Sequence, residues 1–265
     1  MESSQYKYIY GPVSSWRLGR SLGIDPISSF QKICTFDCVY CQAGRTEVLS
    51  NKREVFVPTE VLMHELRSVP DIALDYITFA GNGEPTLAKN LGEMIRGIKM
   101  FRTEKIAVIT NASLIDRTDV VEDLLLADLV EAKLDASSAG SFQSVNQPMP
   151  EIRWEDIVEG LKAFRKVYHG HLTLQVMFVA SNKSCAAALA KIAHQIGPEE
   201  VEINTPLRAC AVKPLSIGDM EEITAIFRGI CGGAIKVRSV YEAKREKSLP
   251  FCQPSTDRRR GKENP

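Results

Sequence analysis

After the first 55 residues this chain repeats one pattern: a short apolar, β-branched run, then a loop, then an amphipathic stretch of helical period. That repetition constrains the fold more than any other feature. It predicts strands at 75–80, 105–110, 129–134, 172–179, 201–204 and 235–240. Helices are predicted between them at 60–68, 91–101, 119–126, 154–167, 186–196 and 219–230. Strands that recur with one helix between them must pair in parallel, through the right-handed crossover that packs a helix back onto a right-twisted sheet. The expected fold is α/β, a full or partial parallel barrel of (βα)6 type similar to a TIM barrel. In such barrels the working groups sit at the carboxyl ends of the strands, on loops leading into helices. Residues 1–250 are expected to form one barrel domain, because such barrels run to roughly 200–250 residues as single units. The end of the chain holds Arg258, Arg259, Arg260 and Lys262 with almost no apolar side chains, so 251–265 reads as a disordered basic tail.

Thirty-three basic residues balance thirty-three acidic ones, so the whole-molecule field favours neither nucleic acid nor an anionic membrane, and a polyanion site must be a local patch. The opening MESSQYKYIYGPV has no basic region leading into an apolar one, and no run of roughly 18 apolar residues follows. A cytoplasmic protein with no membrane partner is expected. Seven cysteines are an odd number, and three of them fall within eight residues. That crowding suits metal chemistry in a reducing compartment better than a secreted disulfide framework.

The segment CTFDCVYC places Cys34, Cys38 and Cys41 on one loop. Three thiolates on one loop can take three corners of an iron–sulfur cube, whereas clusters that only carry electrons normally use four cysteines. The fourth iron is then open to a small molecule, and a cluster paired with S-adenosylmethionine (SAM) is one recognised route to radical chemistry. The alternatives are a structural zinc site, with a fourth ligand from Cys185, Cys210, Cys231 or a histidine, and thiols that act as small buried hydrophobes. At the end of the 75–80 strand comes GNGEPT, 81–86, where glycine lets backbone approach a ligand closely; an ordinary turn before a helix is the plainer reading. Two further strand ends carry Thr110 with Asn111 and Lys133 with Asp135. Charges so near an apolar strand need partners or solvent, so these are cofactor contacts or a structural ion pair. Val176, Phe178 and Ile203 read as barrel lining, and Asn204 faces substrate or caps its strand.

CxxxCxxC with aromatic Tyr40 just before the last cysteine, joined to the glycine motif, resembles the radical SAM superfamily. YGPVSSWRLGRSLGID, CTFDCVYCQAGRTE, FAGNGEPTL, KLDA and INTP, spread over 10–208, look most like the small iron–sulfur oxidoreductases grouped with tRNA wyosine-base synthases. The resemblance implies a metal-binding enzyme with a 4Fe-4S cluster on Cys34, Cys38 and Cys41 and with SAM as second cofactor. It assigns Gly81, Gly83 and Glu84 to the methionine amino group, and Asn111 and Asp135 to the ribose or carboxylate; Tyr40 completes the implied cofactor-binding set. The implied activity is reductive cleavage of SAM to a 5′-deoxyadenosyl radical that takes hydrogen from a substrate, with a tRNA base as first candidate. An external electron donor of flavodoxin or ferredoxin type is implied as partner. Two other readings stand beside it: a radical modifier or activator of a protein or small metabolite, and a non-enzymatic metal-binding module. Archaeal wyosine synthases carry extra N-terminal cysteines for a second cluster, and here no cysteine precedes Cys34. In the segment 11–23, Arg17 and Arg20 are read as substrate-side phosphate contacts or as solvated surface arginines.

Overall fold

The computed structural model describes residues 6–244 and 247–261. Two strands precede the βα series: β1 (Ile9–Ser15) and β2 (Gly19–Ile24) form an antiparallel hairpin with Trp16, Arg17 and Leu18 at its tip. A short parallel pair, β3 (Ile33–Cys34) and β4 (Val48–Leu49), flanks the cysteine loop. The series then runs α1 (Thr59–Arg67), β5 (Tyr76–Phe79), α2 (Leu91–Lys99), β6 (Lys105–Thr110), α3 (Thr118–Leu124), β7 (Leu129–Lys133), α4 (Ala139–Val145) and α5 (Trp154–Val167). It continues with β8 (His171–Met177), α6 (Ala186–Ile196), β9 (Glu200–Asn204), α7 (Ile217–Cys231), β10 (Lys236–Ser239) and α8 (Gln253–Arg260). The six predicted strands and six predicted helices are all present, with ends within two residues of expectation.

The strands form one sheet in the order β1-β2-β5-β6-β7-β8-β9-β10, parallel at every junction from β2 onward. The sheet curls into a partial barrel. Its two ends approach each other at the hairpin tip, where Arg238 of β10 donates to the Trp16 carbonyl and lies 5.4 Å from the Trp16 ring centre.

Alternation along the strands sorts residues between two environments. Ile77, Phe79, Ile106, Val108, Leu172 and Leu174 are fully buried on the helix-facing side, and each such side chain contributes roughly 1.5–3 kcal/mol on removal from water. α2 meets that layer with Leu91, Met94, Ile95 and Ile98, an i, i+3, i+4, i+7 stripe. Val176 and Ile203 belong to this helix-side layer too, so they do not line the lumen. The lumen side is polar from β7 to β9, above a small apolar cluster of Leu18, Ala107 and Leu129. In register it presents Glu131 beside Thr173 beside Glu200, then Lys133 beside Gln175 beside Glu202, then Met177 beside Asn204. Burial, and Glu131 after it, hold the Glu202 carboxyl well above the usual carboxylate range, and burial raises Glu131 as well.

Two helices depart from expectation. α4 forms on the short segment AGSFQSV because Ser138 and Ser141 make a reciprocal capping box. α8 corrects the expectation of disorder from 251 onward. Polar contacts dock it, not an apolar stripe: Arg259 pairs with Asp25 at 3.0 Å, and the Gly11 N–H donates to Thr256 Oγ1 at 3.2 Å. Just before α8, the Phe251 N–H donates to the Gly11 carbonyl at 2.7 Å, so this segment covers the otherwise free edge of β1. Lys262 and the residues after it lie outside the described residues. Among the described residues no helix is long and apolar enough to cross a membrane.

Candidate functional site

Cys34 ends β3, and Cys38 and Cys41 follow in a turn in which the Cys41 N–H donates to the Cys38 carbonyl at 3.0 Å. The loop is pinned on both flanks. On one side the Val48 N–H donates to the Lys32 carbonyl and the Ser50 N–H to the Cys34 carbonyl, each at 3.0 Å. On the other, the Val39 N–H donates to the Val145 carbonyl at 3.0 Å and the Asp37 N–H to that of Gln147 at 3.1 Å.

Each sulfur faces one nitrogen donor. Asn111 Nδ2 lies 3.6 Å from Cys34 Sγ, Asn146 Nδ2 3.5 Å from Cys38 Sγ, and Lys32 Nζ 2.9 Å from Cys41 Sγ. Burial, with the Glu84 charge behind it, pushes the Cys34 thiol up to about 11; burial and then Cys41 push Cys38 up to about 12. Thiols so placed ionise readily only when an electropositive centre takes up the thiolate charge. Among the described residues no three or more His, Cys, Asp or Glu side chains converge where one metal ion could sit. A cube takes its sulfurs at separate corners, and three thiolates on one loop fit that demand. Of the scattered cysteines, Cys210 comes to this loop, sharing a hollow with Cys38 and Cys41.

A cavity of about 270 Å³ opens beside the loop at the carboxyl ends of the strands and descends the lumen to Arg17 at the hairpin tip. Tyr40, Cys41, Gly81, Gly83, Met177 and Asn204 lie in its upper wall. Gly81 and Gly83 have φ of 151° and 154°, open to glycine alone in practice. A Cβ on Gly83 would overlap the Ile33 carbonyl, and one on Gly81 would sit 2.5 Å from the Asp25 carboxyl carbon. Glycine therefore lets the GNGEPT turn lie flat against β3, next to Cys34, while it also faces the cavity.

The remaining predicted residues lie one layer behind. Glu84 is absent from the cavity wall, and its carboxylate accepts from Thr86 N–H (3.1 Å), Thr86 Oγ1 (2.7 Å), Thr110 Oγ1 (2.6 Å) and Asn111 N–H (2.7 Å). Asn111 donates to Thr35 Oγ1 at 2.6 Å as well as facing Cys34. Asp135 accepts from the Tyr40 hydroxyl, from Asn146 Nδ2 at 3.0 Å and from Met177 N–H at 2.7 Å, with Lys133 Nζ 3.3 Å away. Lys133 and Asp135 form an ion pair. Tyr40 ties the cysteine loop to the end of β7 through that carboxylate. Arg20 bonds Asp75 at 3.2 Å on the surface, whereas Arg17 reaches inward to Glu131.

Sequence reasoning missed Lys32 and Asn146, and although it singled out Arg17, Lys133, Arg259 and Arg260 it did not bring them together with Arg208 into one cationic wall. Arg17, Lys133, Arg208, Arg259 and Arg260 all line the cavity, and among the described residues no aspartate or glutamate does. Gln175 accepts from Lys133 at 2.8 Å, while its own buried Nε2 has no partner among the described residues. The five cations come from four separate parts of the chain, so no motif spacing announced their meeting.

The model of the Radical SAM superfamily matches residues 28–184. A UPF0026 protein of Synechocystis is 41% identical over 214 residues, 80% of this chain and 79% of that one. A radical SAM methyltransferase from Sphaerobacter thermophilus superposes with a TM-score of 0.63 at 16% identity, over 83% of this chain and 65% of the other. Native anSMEcpe with bound AdoMet superposes with a TM-score of 0.62 at 18% identity, over 82% of this chain and 63% of the other. The chain thus spans a little under two thirds of the length of these two structures, and at such identity the likeness is one of fold. With more than half its length matched by the family model and a relative at 41% identity, the chain belongs to the radical SAM superfamily, enzymes that use a 4Fe-4S cluster and S-adenosylmethionine, and groups there with the UPF0026 proteins.

Proposed function

We propose that Cys34, Cys38 and Cys41 hold the cluster, that Tyr40, Gly81 and Gly83 border the SAM site, and that an anionic substrate reacts in the lumen beneath. The observation that carries this reading is one continuous cavity that starts at Cys41, runs to Arg17 and has five cations in its wall, with no carboxylate among the described residues that line it. When bound, cluster and SAM together supply reductive cleavage of a sulfonium and, with it, a 5′-deoxyadenosyl radical able to remove hydrogen from a substrate.

The chain's own part is charge, orientation and exclusion of water. Lys133 and the Gln175 Nε2, which has no partner among the described residues, offer donors to a phosphate or carboxylate in the lumen. The hairpin tip blocks the cavity's lower end, and the segment around α8 covers the β1 edge, so a reactive species is shielded from bulk water. Glu84, Asn111 and Asp135 act from behind, fixing the glycine turn and the cysteine loop against the strand ends. A nucleotide within tRNA is the first substrate candidate, and a flavodoxin- or ferredoxin-type protein is the electron donor.

The test is anaerobic reconstitution followed by assay for 5′-deoxyadenosine under reductant, with Cys38→Ala as control. Brown protein whose spectrum shifts with SAM and which releases 5′-deoxyadenosine is expected. A cluster that SAM neither perturbs nor reacts with would overturn the proposal. For the substrate, bulk tRNA is expected to stimulate turnover with a steep salt dependence; stimulation only by a small anionic metabolite fraction rejects tRNA and keeps the anionic class.

A further inference from the structure

Neither the motifs nor the proposed SAM and substrate sites give Lys32 a task. It stands one residue before β3, is 4% exposed, and places its ammonium 2.9 Å from Cys41 Sγ and 2.7 Å from the Gly44 carbonyl oxygen. A buried ammonium is costly unless its charge is answered. Among the described residues it forms no ion pair with a carboxylate, so the sulfurs answer it. Cys34 and Cys38 face neutral amide donors, Asn111 at 3.6 Å and Asn146 at 3.5 Å. One of the three donors therefore carries a full positive charge, at the shortest of the three distances.

We propose that Lys32 is a positioning residue that sets the reduction potential of the cluster, by holding a fixed cation and a hydrogen bond on the Cys41 sulfur. Adding an electron makes the cluster and its thiolates more negative by one charge. A cation in contact with one of those sulfurs stabilises the reduced form more than the oxidised form. Hydrogen bonds to sulfur, local charge and solvent exposure are the levers by which proteins move such potentials, and partners behind the ligands are where they are applied. Because Lys32 is buried, ionic strength screens its effect far less than it would a surface lysine's. The inference rests on the proposed role of the three cysteines.

The experiment is an EPR-monitored redox titration of the reconstituted holoenzyme, comparing wild type with Lys32→Met, Lys32→Gln and Lys32→Arg, with iron and sulfide counted per chain. Lys32→Met is expected to weaken reduction at least tenfold, a downward shift of about 59 mV for a one-electron couple. Lys32→Gln keeps a donor without the charge and is expected to shift the same way by less; Lys32→Arg keeps the charge and stays near wild type. A fully loaded Lys32→Met with the wild-type midpoint overturns the inference while leaving the cluster assignment intact. If neither neutral variant takes up iron, Lys32 is a clamp on the loop and the tuning role is rejected. A wild type that assembles no cluster removes the assignment beneath it.

Discussion

Arg259→Met tests whether a single buried charge pair docks the C-terminal helix onto the barrel. The Arg259 and Asp25 side chains are 2% and 1% exposed and meet at 3.0 Å. The guanidinium also lies 5.6 Å from the Tyr10 ring centre and donates to Ser255 Oγ at 2.7 Å and Ser28 Oγ at 3.0 Å. Methionine restores much of the stem's volume, yet leaves Asp25 with the Ser28 N–H at 2.9 Å as its remaining donor. Removing one partner of a buried pair costs about 3–5 kcal/mol, because the other charge stays dehydrated. That full cost applies only while α8 remains in place. The chain can escape it by releasing the helix and letting water reach Asp25. α8 has eight residues, and isolated helices shorter than about 12–15 residues are marginal in water, so a released α8 unfolds.

The assay is hydrogen exchange by mass spectrometry together with thermal melting. In Arg259→Met, peptides covering 251–260 are expected to lose protection while those covering β6, β7 and β8 keep theirs. If α8 instead melts with the barrel, the penalty appears in Tm as a fall of about 6 °C or more, since each kcal/mol moves a domain of this size by about 2–4 °C. Asp25→Asn combined with Arg259→Met removes the stranded charge and is expected to recover part of the loss, a coupling that contacting residues show and distant ones do not. Unchanged exchange in 251–260 together with an unchanged Tm would refute the reasoning.

Glu202→Gln addresses the lumen floor. Its carboxyl is raised by burial and by Glu131, so the folded state binds the proton more tightly than the unfolded one; that stabilisation is full below the unfolded value of about 4.3 and is lost as pH rises toward the folded value. The variant is expected to gain more Tm near pH 8 than near pH 5, and equal gains at both would count against a shifted carboxyl. Gly83→Ala forces a methyl group onto the Ile33 carbonyl at a φ of 154°; overpacking of this kind costs roughly 1–3 kcal/mol, and iron bound per chain should fall, so full loading would sink the idea that the turn seats the loop. Tyr40→Phe strips one donor from buried Asp135, and a loss of about 1–3 kcal/mol is expected in denaturant titration; an unchanged midpoint would show the hydroxyl is not needed to hold the loop.

Much of the scaffold could be read from periodicity because β5 to β10 are largely β-branched runs separated by helices, and their helix-facing residues from Ile77 to Ile203 are apolar apart from Thr110 at the end of β6. The hairpin of β1 and β2 escaped because Gly11, Pro12, Gly19 and Gly23 break the β-branched pattern, and its place is set by pairing with β5, a contact between segments 55 residues apart. α8 escaped because it lacks an apolar stripe, and what docks it, Arg259 onto Asp25, spans 234 residues. Within the site, the cysteine spacing and the glycine turn were legible, being local. Which side of a strand end a polar residue faces is not local. Asn111 and Asp135 stand at strand ends as expected, but hydrogen bonds to Thr35 and Tyr40 turn them toward the back of the cysteine loop. Lys32 and Cys41 are nine residues apart with only the two-residue β3 between them, too short to set the contact, so the folded loop brings them together.

The lumen explains why this barrel can afford a cavity at its centre. Closed parallel barrels fill the interior with layers of branched apolar side chains. Here the corresponding layers are Glu131 with Thr173 and Glu200, and Lys133 with Gln175 and Glu202. Such residues add little hydrophobic stabilisation, so the fold must stand on the other face of the sheet, where Val, Ile and Leu meet the helices. The interior is thereby freed from packing duty and can be shaped by charge. Arg17 joins the two functions: from the hairpin tip it pairs with Glu131 at the floor while lining the cavity above, and Arg238 secures the neighbouring Trp16 from the far end of the sheet. Closure of the partial barrel and the electrostatics of its cavity therefore depend on the same three-residue turn.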